Sequence, residues 1–328
     1  MIFSFSATPD FDFLNHFARH IGAPVENNVL RIPGALGNGY IRKMNFGPDF
    51  KITLHHYQLV EDLVIRRNTS GLGNELITVF FYSNEDGLEI AFNNDPEVRF
   101  SGREEAAIQV TSNDLSSTIR FPAGHQVNYI VIAIKPAYLK VLLAVDKPNP
   151  TLQTITTSGS SFLFFENMTA ETKSLLKQIA AVDMQDGLSH FYTQIKVQEL
   201  LYLLFQQLAL RQGSAQYRMN SADVERLLFI RNEILSDLSV TPVLGELARL
   251  AAMSETKLKQ LFKQTFGDTI YNYYQRARME EAAFMLKQGK HSVAGVGYEL
   301  GFSNLSHFSR LFEKHYGFTP KRFSAQVN

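Results

Sequence analysis

LKQLFKQTFGDTIYNY, Leu258 to Tyr273, is answered fifty positions later by FSRLFEKHYGFTPKRF, Phe308 to Phe323. Leu258, Gln260, Leu261, Phe262, Phe266, Gly267, Thr269 and Tyr273 correspond to Phe308, Arg310, Leu311, Phe312, Tyr316, Gly317, Thr319 and Phe323. Upstream the offset becomes 49, with Leu244, Leu247, Ala248, Met253 and Ser254 matching Val293, Val296, Gly297, Phe302 and Ser303, so one extra residue lies at the start of the second copy's last helix. A repeat of this kind marks one supersecondary unit built twice. Each copy reads as a short helix, a tight break and a second helix, with small Ala248 and Gly297 where two helices cross closely, as in a helix-turn-helix.

Helical spacing then sorts the faces. In the first copy Leu258, Leu261 and Phe262 point inward, which gathers Thr256, Lys259, Gln260 and Lys263 on the outer face. In the second copy Phe308, Leu311 and Phe312 point inward and leave Leu305, Ser306, Ser309, Arg310 and Glu313 outside, with Asn304 just ahead of them. Thr256, Lys259, Gln260, Lys263, Asn304, Ser306, Ser309 and Arg310 are hydrogen-bonding side chains suited to base edges in a major groove. Between the copies, Ile270 to Gln288 forms a helix about 28 Å long, against the roughly 34 Å that separates successive major-groove faces. Arg276, Lys314 and Lys321 are candidates for phosphate contact.

Charge supports this reading. The chain has 328 residues with 32 Lys+Arg, 32 Asp+Glu and 45% hydrophobic residues, the composition of a folded globular protein with room for two domains. From Thr241 onward twelve basic residues face seven acidic ones, a surplus of five that the rest of the chain cancels. A basic end on an acidic body points to a polyanionic partner. The absence of Cys excludes disulfides, thiolate metal sites and thiol nucleophiles. Met1 to Asp12 lacks a basic n-region, and the apolar stretch Tyr129 to Val145 is broken by Lys135, Pro136 and Lys140. The expectation is a cytoplasmic protein without a membrane partner.

From Gly39 to Ile134 the pattern is β-rich: Lys51 to Val60, Leu63 to Arg67, Glu75 to Tyr82, Leu88 to Phe92, Ala107 to Val110, Ser117 to Phe121 and Tyr129 to Ile134. Turn residues separate these runs at Gly71 to Asn74, Asn84 to Gly87, Asn93 to Pro96 and Pro122 to Gly124, as expected of a sandwich or barrel. A helix-like segment begins near Tyr138, Lys147 to Ser161 reads as loop, and helices follow at Thr169 to Val182 and Leu188 to Arg211. The last has an apolar arc too wide for one face, so it must bury two sides. Gln212 to Gln216 reads as a linker, and beyond it helices are expected at Asp223 to Leu238, Val243 to Ala252, Glu255 to Phe266, Ile270 to Lys287, Val293 to Gly301 and Leu305 to Tyr316.

Over Leu244 to Phe323 the chain resembles the DNA-binding region of the AraC family of bacterial transcription regulators. The matching text is Leu247-Ala248, Met253-Ser254, Leu258, Leu261-Phe262, Gly267, Tyr273, Arg278, Ala282, Leu286, Leu300-Gly301-Phe302-Ser303, Phe308, Leu311-Phe312, Gly317 and Thr319-Pro320. The resemblance implies an α+β multidomain chain: a cupin-like β-barrel sensor at 1–165, a helical dimerisation segment at 166–213, and at 220–328 an all-α domain of two helix-turn-helix units joined by a linker helix. It implies double-stranded DNA as partner, a homodimer through Leu200, Leu201, Leu204 and Leu208, a small-molecule effector and contact with RNA polymerase. Two departures are visible: family members commonly carry Ala where Gly297 stands, and bulkier or Arg-rich readers where Thr256, Lys259 and Gln260 stand.

His55, Tyr57 and Arg66 are the polar candidates for an effector pocket in the barrel. His55 and His56 do not form a metal site, because adjacent strand residues point to opposite faces. No cofactor is called for. Gly34 to Gly39 lacks the Lys-Ser/Thr of a phosphate loop, and adjoining carboxylates such as Glu104-Glu105 have no catalytic partner, so no enzyme chemistry emerges. Two alternatives remain open: a cupin-type enzyme with a DNA-binding tail, and a regulator whose barrel only dimerises or binds a protein.

Overall fold

In the computed structural model the N-terminal half is a layered β structure. The described residues are 1–8, 10–69, 75–82, 88–91, 98–100, 108–182, 186–211, 217 and 219–327. The expected turns at 71–74, 84–87 and 93–96, the linker 212–216 and Glu104-Glu105 lie outside them. Along the chain come β1 (Ile2–Ser6), α1 (Phe13–Ile21), β2 (Val25–Glu26), β3 (Val29–Arg31), β4 (Gly37–Asn45), β5 (Phe50–Leu59), β6 (Leu63–Asn68) and β7 (Ile77–Tyr82). There follow β8 (Leu88–Ala91), β9 (Val98–Phe100), β10 (Ile108–Ser112), β11 (Ser117–Phe121) and β12 (Gln126–Ile134). Helices α2 (Pro136–Leu143) and α3 (Pro150–Thr156), strand β13 (Leu163–Glu166) and helices α4 (Ala170–Ala180) and α5 (Ser189–Leu210) complete this part.

The strands form two open sheets, ordered β1-β6-β11-β8-β9 and β13-β10-β7-β12-β5-β4-β3-β2. No closed barrel forms among the described residues; what the strands show is a β-rich N-terminal part built of two open sheets. β1 pairs in parallel with β6, Ile2 opposite Val64, a partnership between segments some sixty residues apart. Every residue of β7 and β10 is buried. That requires cover on both faces and explains why these strands read as unbroken apolar runs. On one face Phe50, Ile52, Val79, Phe81, Ile130 and Ile132 pack with Leu139, Leu152, Ile155, Leu176, Ile179, Val197, Leu200 and Leu204 from the four helices. On the other, Phe121 of β11 stacks on Tyr129 of β12 at 5.2 Å and joins the two sheets.

The stretch expected as loop at 147–161 contains α3. Asn149 caps it by accepting from the Leu152 N–H at 2.8 Å, and Pro150 supplies a preset φ at the first helical position. The same side chain donates to the Leu208 and Ala209 carbonyls and so ties α3 to the end of α5.

The C-terminal part is helical throughout its described residues: α6 (Ser221–Ser236), α7 (Leu244–Leu250), α8 (Glu255–Phe266), α9 (Ile270–Lys287), α10 (Val293–Glu299), α11 (Leu305–Tyr316) and α12 (Pro320–Val327). The spans expected for α8, α9 and α11 fall where they were read, whereas α12 is an addition. By internal contacts the chain divides into two units, Met1–Glu225 with Gln264–Gly267, and Arg226–Lys263 with Asp268–Asn328. In the second unit, Met279, Ala282, Leu286, Val296, Phe302, Phe308 and Phe312 form one cluster around α9. None of the helices among the described residues is long and apolar enough to cross a membrane.

Candidate nucleic-acid interface and buried cavity

The two copies match down to the backbone. Between α7 and α8 the chain turns at Ala252, φ 48°, and between α10 and α11 at Gly301, φ 75°, 49 positions later. Both are left-handed, which costs a side-chain-bearing residue roughly 1–2 kcal/mol. A side chain on Gly301 is excluded for a second reason: its Cβ would lie 2.1 Å from the Ser239 carbonyl oxygen. By the capping residues, two positions beyond Ala252, the offset has become fifty. Ser254 Oγ accepts from the Lys257 N–H at the start of α8, and Asn304 Oδ1 accepts from Ser306 and His307 N–H at the start of α11. Ser254 therefore corresponds to Asn304 and not, as the sequence match had it, to Ser303, which is the extra residue.

Leu258, Leu261, Phe262, Phe308 and Phe312 are fully buried, as their spacing requires. Thr256, Lys259 and Lys263 are exposed along α8, and Ser306 and Arg310 along α11; Ser309 is half-buried. Gln260 is half-buried with its Oε1 enclosed and without a hydrogen-bond partner among the described residues. Asn304 is exposed, but its carbonyl oxygen is committed to capping, so it positions α11.

The basic residues separate into three kinds. Lys314 and Lys321 are exposed. Arg276 lies 3.7 Å from Asp268 and 3.9 Å from Glu280, over the Tyr273 ring, so a phosphate would have to compete with two carboxylates. Arg278 is buried. Its Nε and Nη2 donate to the Leu300 carbonyl at 3.1 and 2.5 Å, and its guanidinium lies 3.6 Å from the Phe302 ring. Burial lowers its pKa. Arg278 thus staples the linker helix α9 to the turn of the second copy and takes no part in the outer surface.

A cavity of about 120 Å³ lies between the two sheets of the N-terminal unit, with Phe5, Phe11, Ile65, Phe80, Ile119 and Tyr129 among its walls. His55 lines it, stacked on Tyr129 at 3.9 Å, and burial depresses its pKa to about 3, so the imidazole is neutral at physiological pH. Its Nε2 meets Thr53 Oγ1 at 3.1 Å, while Nδ1 has no partner among the described residues. His56, on the opposite face, is exposed and bonds Asn128.

Tyr57 is fully buried and lies outside the cavity wall, its hydroxyl 3.5 Å from that of Tyr129; burial raises its pKa. Arg66, expected in the pocket, is exposed; the wall residue is Arg67. Side chains of β6 alternate, and Leu63, Ile65 and Arg67 share the inward phase. That phase was the signal available in the sequence: the inward arginine is the one in step with Leu63 and Ile65.

The expected dimer residues Leu200, Leu201, Leu204 and Leu208 are all buried within their own unit, because this side of α5 closes the core against the larger sheet. The other side of α5 exposes Phe191 at 61%, Ile195 at 45% and Tyr202 at 62%.

Residues 37–219 match the family described as regulatory protein PchR N-terminal domain, and residues 247–326 match the family described as helix-turn-helix domain. An uncharacterized HTH-type transcriptional regulator of Haemophilus influenzae is 24% identical over 204 residues, 62% of this chain and 61% of that protein. The transcriptional activator AggR of Escherichia coli is 33% identical over 94 residues, 29% of this chain and 35% of AggR. RhaR of Yersinia pestis, an HTH-type transcriptional activator, is 26% identical over 158 residues, 47% of this chain and 52% of RhaR. The matched stretches thus span from about a third to three fifths of these curated relatives' lengths. The crystal structure of ToxT from Vibrio cholerae aligns over 85% of this chain and 99% of its own at 12% identity, with a TM-score of 0.31. The regulatory-domain match covers more than half of the 328 residues and the helix-turn-helix match runs from within the first copy's α7 through the second copy: the chain belongs to the AraC-type helix-turn-helix transcription regulators, with an N-terminal domain of the PchR regulatory family.

Proposed function

We propose that the protein is a sequence-specific DNA-binding transcription regulator that places α8 and α11 in successive major grooves of double-stranded DNA. The observation that carries this reading is the duplication itself: two helix-turn-helix copies with the same left-handed turn, the same N-cap position and outward polar stripes, one on each side of α9. The 18 residues of α9 span about 27 Å, somewhat less than the roughly 34 Å pitch of B-DNA. Lys314 and Lys321 are assigned to phosphate, and Thr256, Lys259, Gln260, Lys263, Ser306, Ser309 and Arg310 to the groove.

In this reading residues 1–165 sense a small effector, 166–213 support dimerisation and 220–328 bind DNA, the protein acts in the cytoplasm and RNA polymerase is a partner of the bound form. No catalytic step is assigned. The two-sheet N-terminal domain takes the place of a cupin-like barrel as sensor. Homodimerisation is assigned to the exposed Phe191, Ile195 and Tyr202 side of α5. Effector binding changes DNA affinity to the extent that the effector prefers one of two arrangements of the dimer.

Selection of bound duplexes from random DNA with the full chain, at two salt concentrations, tests the proposal. Enrichment of a motif with two contacted segments about one helical turn apart is the expected result. Salt-sensitive binding without any enriched sequence would overturn it.

A further inference from the structure

We propose that the cavity between the two sheets binds an apolar monocarboxylate, its anionic head on the Arg67 guanidinium and its body among Phe5, Phe11, Phe80 and Tyr129. This inference rests on the effector-sensing reading of the N-terminal unit and names the ligand class.

Arg67 is 4% exposed, and none of its three guanidinium nitrogens has a hydrogen-bond partner among the described residues. Burial brings its pKa down to about 10, so it is still a cation at neutral pH. Tyr82 and Asp114 act on it only through space; Asp114 Oδ2 is taken by Ser161, and its Oδ1 is buried without a hydrogen-bond partner among the described residues. The other cations on the wall are engaged: Lys43 pairs with Asp12 at 2.5 Å, and Lys51 has partners of its own. A buried cation with no hydrogen-bonded anion is unfavourable, and a carboxylate matches the two-pronged guanidinium geometry.

The rest of the wall sets the other limits. Phe5, Phe11, Phe13, Ile65, Phe80 and Ile119 offer an apolar lining, which suits a hydrophobic body and no second charge. His55 is neutral, and its Nδ1 gives a second polar contact without adding charge. At about 10–15 Å³ per water-sized sphere, a 120 Å³ cavity takes about ten non-hydrogen atoms.

Titration calorimetry of the full chain with octanoate and cinnamate, each against its neutral amide, tests this and separates an aliphatic from an aromatic body. At least one acid is expected to bind at least about 30-fold more tightly than its amide. Arg67→Met abolishes the difference and Arg67→Lys keeps part of it. Equal binding of acid and amide, an acid preference that survives Arg67→Met, or no binding of either acid would overturn the inference. Wild-type protein is tested in parallel on its selected DNA. Specific DNA binding with no acid binding defeats the ligand class alone, whereas failure of specific DNA binding with and without a bound acid counts against the regulator reading.

Discussion

Replacing Arg278 by Met removes the staple between α9 and the turn of the second helix-turn-helix copy. The guanidinium makes two charge-assisted hydrogen bonds to the Leu300 carbonyl and lies against Phe302. Hydrogen bonds to a charged group contribute about 1.5–3 kcal/mol, and a desolvated cation–π contact adds up to about 2 kcal/mol. Met recovers part of the packing, and loss of a desolvated charge offsets part of the cost. A net loss of about 2–3 kcal/mol follows. For a unit of about 100 residues this lowers the melting temperature by about 10–15 °C. Calorimetry of the full chain reads the transition, with Arg276→Met as control. Arg276 has carboxylates at 3.7 and 3.9 Å, and such a surface arrangement contributes less than about 1 kcal/mol. Equal melting temperatures for Arg278→Met and the wild type, or equal losses for the two variants, would refute the assignment of Arg278 as a staple.

Other outcomes follow from the same geometry. Gly301→Ala costs at least about 2 kcal/mol, since it adds a Cβ at positive φ against the Ser239 carbonyl, whereas Ala252→Gly at the matching turn gains up to about 1 kcal/mol; denaturant titration of both variants checks the contrast. His55 has a folded-state pKa of about 3 against an ordinary 6.5, so its contribution is complete above pH 6.5 and is lost as pH falls toward 3; His55→Phe removes about one proton's worth of slope, up to about 1.4 kcal/mol per pH unit, from stability measured across that window. Ile195→Glu yields a monomer in sedimentation without loss of fold, while Leu204→Ala costs about 2–5 kcal/mol of core stability. Arg310→Ala and Gln260→Ala each weaken selected DNA by about 1–3 kcal/mol more than random DNA, read by competition binding; equal losses would reassign them to phosphate.

The C-terminal half was legible because its information is local. Helical spacing and a fifty-residue offset were enough to place Leu258, Phe262, Phe308 and Phe312 inside and Arg310 outside. Asn304 shows the limit of such spacing, since a residue at a helix start serves the backbone N–H groups before it serves a ligand. α12 escaped because two turns after Pro320 carry too short a pattern. In the N-terminal half the strands with clear alternation, β5, β6 and β11, were read, but sheet partnership is nonlocal, as the β1–β6 pair shows. At the start of β4, Gly39 is needed because its backbone runs so close to β5 that a Cβ would meet the His56 carbonyl at 2.3 Å. Leu200 and Leu204, expected at a dimer contact, are buried in their own core, because a helix apolar on two sides does not reveal which side that core takes.

Methylation interference on the selected duplex, with the full chain, tests the central claim most directly. The account predicts two patches of major-groove guanines on one face of the DNA for each bound chain, about one helical turn apart, with the α11 patch lost in Arg310→Ala and the α8 patch lost in Gln260→Ala. A single patch per chain, or interference confined to phosphates, would contradict it.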